Sequence, residues 1–391
     1  MRVFDFIYRA IVATAMGCTL ALASCGVHEL PQGDPVFPEI PTYPAILYLD
    51  YETDLPLYKT IENQLESRSA MAIDYDVRYI IETYKVVDEQ LNRKELLTRE
   101  IFTRDDVNTL NHSQLLRFPE GKYEFYVWTD YVDAGTTGPK FYIADDFSTI
   151  TVHNHEGNND FRDAYAGTAQ VEIKKPEPNA ANTDKPTITT VTEIRVINRR
   201  PLAKFNFITT DLDRFVEHML ELEAQAKAES EKNEGQEENP RGDDSAELAS
   251  TSANDAVTAA EDHTRGVNIK DYKVVFRYSQ FMPNEFDLFS YIPVYALPQI
   301  SFESEITPIS DTEAELGFDY VFVNGEEFVI PIIVEVYDKQ GNKVSSINPI
   351  NVPLMRGQLT TIRDNFLTSQ ASGGIGINPS FNGPDHIYEV P

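Results

Sequence analysis

Along this chain, apolar and polar residues alternate in short runs far more often than they recur at helical spacing. In YEFYVWTDYV, Tyr123, Phe125 and Val127 fall on one side of an extended chain and Glu124, Tyr126 and Trp128 on the other, the period of a strand. AILYLDYE, DYDVRYIIETYKV, STITVH, TAQVEI and TITTVTEIRVIN read the same way, rich in Tyr, Val, Ile and Thr. The second half repeats this texture in AKFNFITT, YKVVFRYS, AELGFDYVFVNGEEFVIPIIVEVYD and KVSSINPINVPL. No long amphipathic helix separates the runs, so an all-β fold with antiparallel pairing into sandwiches is expected rather than a parallel sheet. Phe118-Pro119-Glu120-Gly121 predicts a type I turn. Asn324-Gly325 and the stretch from Asp338 to Asn342 predict two successive hairpins.

One segment breaks the pattern. DLDRFVEHMLELEAQAKAESEKNEG opens like a helix, with Asp211 or Asp213 as cap and Phe215, Met219 and Leu222 on one face. The helix is predicted over about 211–225, and residues from about 226 to 265 are predicted to be a disordered acidic insertion, since they hold no aromatic and too little apolar surface to pack. Residues 221–262 carry thirteen acidic and three basic side chains, a third of the whole chain's charge excess. Such a loop interrupts a domain cheaply, because closure entropy grows only with the logarithm of length.

The first thirty residues set the compartment. Arg2 and Arg9 precede an apolar run from Ala10 to Leu22, the layout of a secretory signal and too short to span a bilayer. Leu22-Ala23-Ser24-Cys25 resembles the lipobox of bacterial lipoproteins. The resemblance implies cleavage between Ser24 and Cys25, diacylglycerol on the Cys25 thiol and acylation of the freed amine; two or three acyl chains hold a protein at a membrane essentially permanently. Residues 1–24 are then the signal peptide, and 25–43, with four of the five prolines between Gly26 and Pro44, an extended tether.

What remains, about 367 residues with no cysteine after Cys25, cannot use disulfides and must rely on hydrophobic cores; its length suggests two domains. Twenty tyrosines and twenty-two phenylalanines suit β-rich cores. The formal charge of −30, about −31 once residues 1–24 are removed, argues against a nucleic-acid partner.

Candidate chemistry is sparse. His153 and His155 share a strand face and, with Glu156, form a weak metal motif lacking a fourth ligand; no metal or cofactor is expected. Arg241-Gly242-Asp243 and the acidic pairs Asp145-Asp146 and Asp243-Asp244 are what 63 carboxylates produce by chance. No phosphate loop or nucleophile turn is present, and the expectation is that the chain is not an enzyme. Tyr126 and Trp128 could stack on sugar rings if exposed, but large aromatics usually belong to cores.

Several stretches together carry a family likeness: Cys25-Gly26-Val27-His28-Glu29, FPEGKYEFYVWTDYV (118–132), GNNDFRDAYAGTAQVEI (157–173), RPLAKFNFITTDLDRFV (200–216) and VPLMRGQLTTIRDNFLTS (352–369). In their order and spacing they resemble the FimB-type fimbrial lipoproteins of Bacteroidales. The resemblance implies a lipid-anchored outer-membrane protein at the cell surface, built from two tandem transthyretin-like, Greek-key β-sandwiches. These would cover 44–199 and 200–391, the second carrying the helix and the acidic insertion. It implies a role as fimbrial anchor or accessory subunit that binds pilin subunits by strand addition. Arg200 to Lys204 would mark the junction, and Arg356 with Thr360 and Thr361 the polar positions of a last strand pair. The acidic run often found after the lipidated cysteine is absent, and the insertion after Leu220 departs from the family pattern. A glycan-binding surface lipoprotein of a polysaccharide-uptake system is the alternative, and would need a solvent-facing Tyr/Trp platform.

Overall fold

Twenty strands and one helix follow one another in a computed structural model that describes residues 40–61, 75–175, 191–234 and 267–368. Strands β1 (Thr42–Tyr51) and β2 (Leu57–Ile61) precede a long hairpin, β3 (Tyr75–Asp88) and β4 (Arg93–Arg104). Then come β5 (His112–Pro119), β6 (Gly121–Asp133), the short β7 (Tyr142–Ile143) and β8 (Ile150–Val152), β9 (Tyr165–Ile173), β10 (Thr192–Asn198) and β11 (Leu202–Thr209). Helix α1 (Leu212–Glu234) leads to β12 (Lys273–Tyr278), β13 (Met282–Asp287), β14 (Ile292–Leu297), β15 (Ser301–Glu305) and β16 (Thr307–Pro308). The last four are β17 (Ala314–Phe322), β18 (Phe328–Tyr337), β19 (Lys343–Leu354) and β20 (Leu359–Asp364). The fold is all-β.

Five sheets result, ordered β10-β1-β5, β4-β3-β6-β9, β14-β13-β8-β7, β16-β17-β11-β20-β2 and β15-β12-β18-β19. The β4-β3-β6-β9 sheet is covered on both faces. Tyr79, Phe125 and Val127 meet the β10-β1-β5 sheet, where the Tyr51 hydroxyl lies 2.7 Å from that of Thr129. On the opposite face Trp128 packs edge-on against Tyr142 of β7, with Phe286 of β13 beyond it. A second core lies between the other two sheets and takes in Leu212, Phe215, Val216 and Met219 of α1. Strand β17 serves both cores, with Phe318, Tyr320 and Phe322 in the first and Ala314, Leu316 and Val321 in the second. A strand buried on both faces reads as a near-continuous apolar run rather than an alternation. Three strands leave their neighbours in sequence: β2 joins a sheet otherwise drawn from residues 202–364, and β13 and β14 join β7 and β8.

Most pairings are antiparallel, but β1 runs parallel to β10, and β20 parallel to both β11 and β2. These parallel pairs join strands that are distant or reached by crossing between sheets, which hairpin signals do not report. Asn324-Gly325 does reverse the chain, with Asn324 Oδ1 accepting from the Glu326 amide, yet no hairpin forms: β17 pairs with β11, whereas β18 pairs with β12 and β19. The turn carries the chain from one sheet to the facing one. The Asp338–Asn342 reversal is a true hairpin between β18 and β19, closed by the Asp338 amide on the Asn342 carbonyl. At Phe118 to Gly121 only Glu120 separates β5 from β6, and these also lie in different sheets. Likewise β19 and β20 are not a pair; they face each other, joined by the Thr360 hydroxyl donating to the Pro353 carbonyl.

Helix α1 runs nine residues past its expected end. Low apolar content argued for disorder after residue 225, but Ala, Glu, Gln and Lys are strong helix formers and Glu223 and Lys227 are spaced one turn apart, so propensity prevails. Every residue from Glu221 to Glu229 is exposed. The remainder of the acidic insertion, 235–265, lies outside the described residues.

Candidate interaction edges

Ser24, Cys25, the Arg241-Gly242-Asp243 tripeptide and Asp244 lie outside the described residues. His153 is exposed, while the half-buried His155 has Nε2 2.9 Å from Asn284 Oδ1, and burial pushes its pKa down. Glu156 accepts from the Asn154 side chain instead of turning toward either imidazole. Among the described residues no group of three or more His, Cys, Asp or Glu side chains is placed to hold a metal. Asp145 and Asp146 sit in an exposed turn, where Asp146 accepts from the Ser148 amide.

Trp128 is wholly buried and Tyr126 is half-covered by Tyr84 and Phe289. The pair therefore forms no platform, and the aromatic feature that a glycan site required is missing from β6. The alternation placed Tyr126 and Trp128 on one face correctly, but could not show that a second sheet covers it.

The strand edges carry the more informative geometry. Strand β4 is twelve residues long, pairs with β3 on one side, and among the described residues has no strand on the other. Leu96, Leu97 and Ile101 are between 45 and 49% exposed, and Leu115 on the neighbouring β5 is 66% exposed. The hairpin tip is turned by Asp88, whose Oδ1 accepts from the Gln90 and Leu91 amides, and it exposes Val87 and Leu91. A register shift leaves Leu97 without a partner on β3, a bulge of the kind common at sheet edges.

Two charged side chains fix β4 in place. Arg99 donates to the Glu82 carboxylate and to the Ala144 carbonyl. Lys94 sits 4.2 to 4.9 Å from the ring centres of Tyr126, Phe289 and Tyr84, and its Nζ lies 2.7 Å from the Tyr126 hydroxyl and 3.1 Å from Glu124 Oε2.

Four of the other edges are blunted. Strand β14 is interrupted by Pro293, and β19 by Pro349 and Pro353; β15 projects Glu303 and Glu305, and β7 is two residues long. Proline and charge protect edges against unwanted pairing. Strand β4 has no proline, and its exposed aliphatic residues offer an incoming strand both backbone groups and side-chain contacts.

Arg200 is buried, with Nε 2.8 to 2.9 Å from both Asp163 oxygens, Nη2 2.6 Å from the Tyr165 hydroxyl and Nη1 on the Asp54 carbonyl. Burial pushes the Asp163 carboxyl up, and the Arg200 guanidinium opposes that rise. Arg356 donates to the Tyr291 carbonyl at 3.0 Å and lies over the Tyr291 ring. These residues tie loops to strands; they do not converge on a cleft.

The model of a family of unknown function, DUF6562, matches residues 49–391. The chain belongs to that family. No curated protein matches this DUF6562 member. Solved structures similar to it include a candidate adhesin from Bacteroides ovatus, 11% identical, covering 83% of this chain and 88% of the other with a TM-score of 0.37. The fimbrial anchor protein Mfa2 from Porphyromonas gingivalis is 10% identical, with 78% and 82% covered and a TM-score of 0.33. A candidate polysaccharide-binding protein from Bacteroides thetaiotaomicron is 10% identical, with 78% and 80% covered and a TM-score of 0.36. At such distances no residue role passes from these proteins to the DUF6562 chain.

Proposed function

We propose that this protein is a lipid-anchored subunit of a surface fimbria, held in the outer membrane through Cys25 and binding other subunits by strand addition at β4. The observation that carries the reading is the open β4 edge, twelve residues without proline and with three exposed aliphatic side chains, the longest proline-free edge strand among the described residues. An added strand would gain main-chain hydrogen bonds along β4 and apolar contacts at Leu96, Leu97 and Ile101. The lipobox and the likeness of the five sequence stretches to fimbrial anchor lipoproteins support the membrane end of the reading.

The test uses cells carrying two separate variants. Cys25→Ser leaves the protein unprocessed or released, whereas normal membrane retention of that variant refutes the anchor. Leu96→Lys/Ile101→Lys keeps the protein in the membrane fraction and strips fimbrial subunits from it; full co-purification of those subunits with the doubly substituted chain refutes β4 as the acceptor.

A further inference from the structure

The β14-β13-β8-β7 sheet joins two distant parts of the chain along a short seam. Strand β8 meets β13 at two positions, Ile150 opposite Phe286 and Thr151 opposite Glu285, and past them the Leu288 amide donates to the Phe147 carbonyl. Toward the other end of β13 the register against β14 slips between Pro283 and Glu285, so Asn284 has no partner on that strand. Bulges of this kind re-aim a side chain. Asn284 is 4% exposed, and its Oδ1 lies 2.9 Å from Nε2 of His155, three residues past the end of β8.

That bond fixes the protonation of the imidazole. An amide oxygen only accepts, so Nε2 carries the hydrogen and Nδ1 is left as a lone pair, buried and without a hydrogen-bond partner among the described residues. The surrounding charges oppose a second proton. Arg162, buried a few residues further along, acts on His155 as a like charge, and its carboxylate partner Asp319 is already committed to it, to the Tyr278 hydroxyl and to the Tyr320 amide. Glu156 accepts from Asn154. Burial and then the Arg162 charge push the His155 pKa down, against the bond to Asn284 and the charge of Asp319. The same loop touches both cores: the Asn158 amide donates to the Phe318 carbonyl at 2.7 Å, and Gly157 lies against the Phe302 ring.

We propose that His155 is an acid-sensitive latch on this seam: neutral, it pins β13 to the chain leaving β8, and protonated at Nδ1 it lets the two part while both cores stay folded. The added proton sets a second buried cation beside Arg162 with no further carboxylate to answer it. Swinging the imidazolium out to water relieves that repulsion and gives up the Asn284 bond. The closed form keeps the ring neutral, whereas an open, solvated ring takes its proton near pH 6.5, about the value of a free imidazole. Closure is therefore complete above that pH and weakens as the pH falls below it, by up to about tenfold per pH unit, until the closed form is itself protonated.

The chain carries its own reporter. Trp128, its one tryptophan, is wholly buried and packs against Tyr142 of β7 and Phe286 of β13, one on each side of the seam. The purified full chain, titrated from about pH 8 to about pH 4, should show its tryptophan emission moving to the red below about pH 6 while far-ultraviolet circular dichroism holds steady. Over the same range, amides 150–155 and 284–288 should lose hydrogen-exchange protection by up to about tenfold per pH unit, and those of 359–364 should keep theirs. His155→Gln donates to Asn284 without titrating and should keep the blue emission throughout. Asn284→Asp gives the imidazolium a counter-charge and should move the change at least about one pH unit lower. A parent chain whose emission shifts only as its circular dichroism is lost overturns the proposal. So does a His155→Gln chain that follows the parent profile, or an Asn284→Asp chain whose transition stays in place or moves to higher pH.

Discussion

Asp319 should be among the least replaceable residues of the protein. It lies on β17, between the two cores, 2% exposed, and forms an ion pair with Arg162, which is 1% exposed; it also accepts from the Tyr278 hydroxyl and from the Tyr320 amide at 2.7 Å. Among the described residues Nε and Nη2 of Arg162 have no hydrogen-bond partner, so Asp319 is the acceptor that compensates a buried guanidinium. Asp319→Asn preserves shape and removes the charge. An ion pair broken from one side leaves an uncompensated buried charge, at a cost of about 3–5 kcal/mol. For a unit of this size, unfolding entropy of about 2.1 cal/mol/K per residue converts that cost into a fall in Tm of roughly 4–7 °C. Calorimetry of the single variant and of Asp319→Asn/Arg162→Met measures it, the double variant being expected to recover at least half of the loss. A single variant within about 1 kcal/mol of the parent, or a double variant no more stable than the single, would refute the reasoning.

Two further outcomes follow from buried contacts. Burial alone would raise the Glu335 carboxyl, but hydrogen bonds from Arg277, Lys343 and Tyr337 outweigh it and hold the group at about 2. Because the folded value lies below the unfolded one, the stabilisation is complete above about pH 5 and is lost as pH falls toward 2. Urea titrations should therefore show Glu335→Gln less stable by about 2–3 kcal/mol at pH 7 and level with the parent near pH 2; a gap that widens on acidification would reverse the assignment. A Cβ at Gly157 would overlap the ring of Phe302, which is buried and stacked on Phe276 at 4.7 Å. Gly157→Ala should cost about 1–3 kcal/mol by thermal melt, and a neutral result would mean that the Phe302 stack yields.

The strands that alternation marked are those with one or both faces against a core. AILYLDYE is β1 and YEFYVWTDYV lies within β6, because burial on a pleated surface selects Tyr, Val and Phe at every second place. Strand β4, RKELLTREIFTR, went unmarked since an edge need not bury a face and its charges fall between its aliphatic residues. The signal that could have located it was the polar tip DEQLN one residue beyond DYDVRYIIETYKV, which demands a returning strand. Sheet membership was illegible for another reason. Asn-Gly dictates a reversal of direction, but whether the returning strand pairs with its predecessor or crosses to the facing sheet depends on what covers each face of β17, and those residues come from elements scattered along the chain. The same holds for β2, whose partner β20 is some three hundred residues downstream.

The parallel pairing of β1 with β10 has a mechanical consequence. Seven consecutive residues, Ala45 to Tyr51, are matched with Thr192 to Asn198, and β10 continues through residues 199–201 into β11 at the heart of the second core. A pull on the chain ahead of Thr42 therefore acts along β1 while β10 is held from its far end, and the load falls on all seven matched positions at once as shear. An antiparallel hairpin pulled from its open end would instead unzip pair by pair, at far lower force. Strand β1 is thus set as a tensile clamp against any load applied from its amino-terminal side.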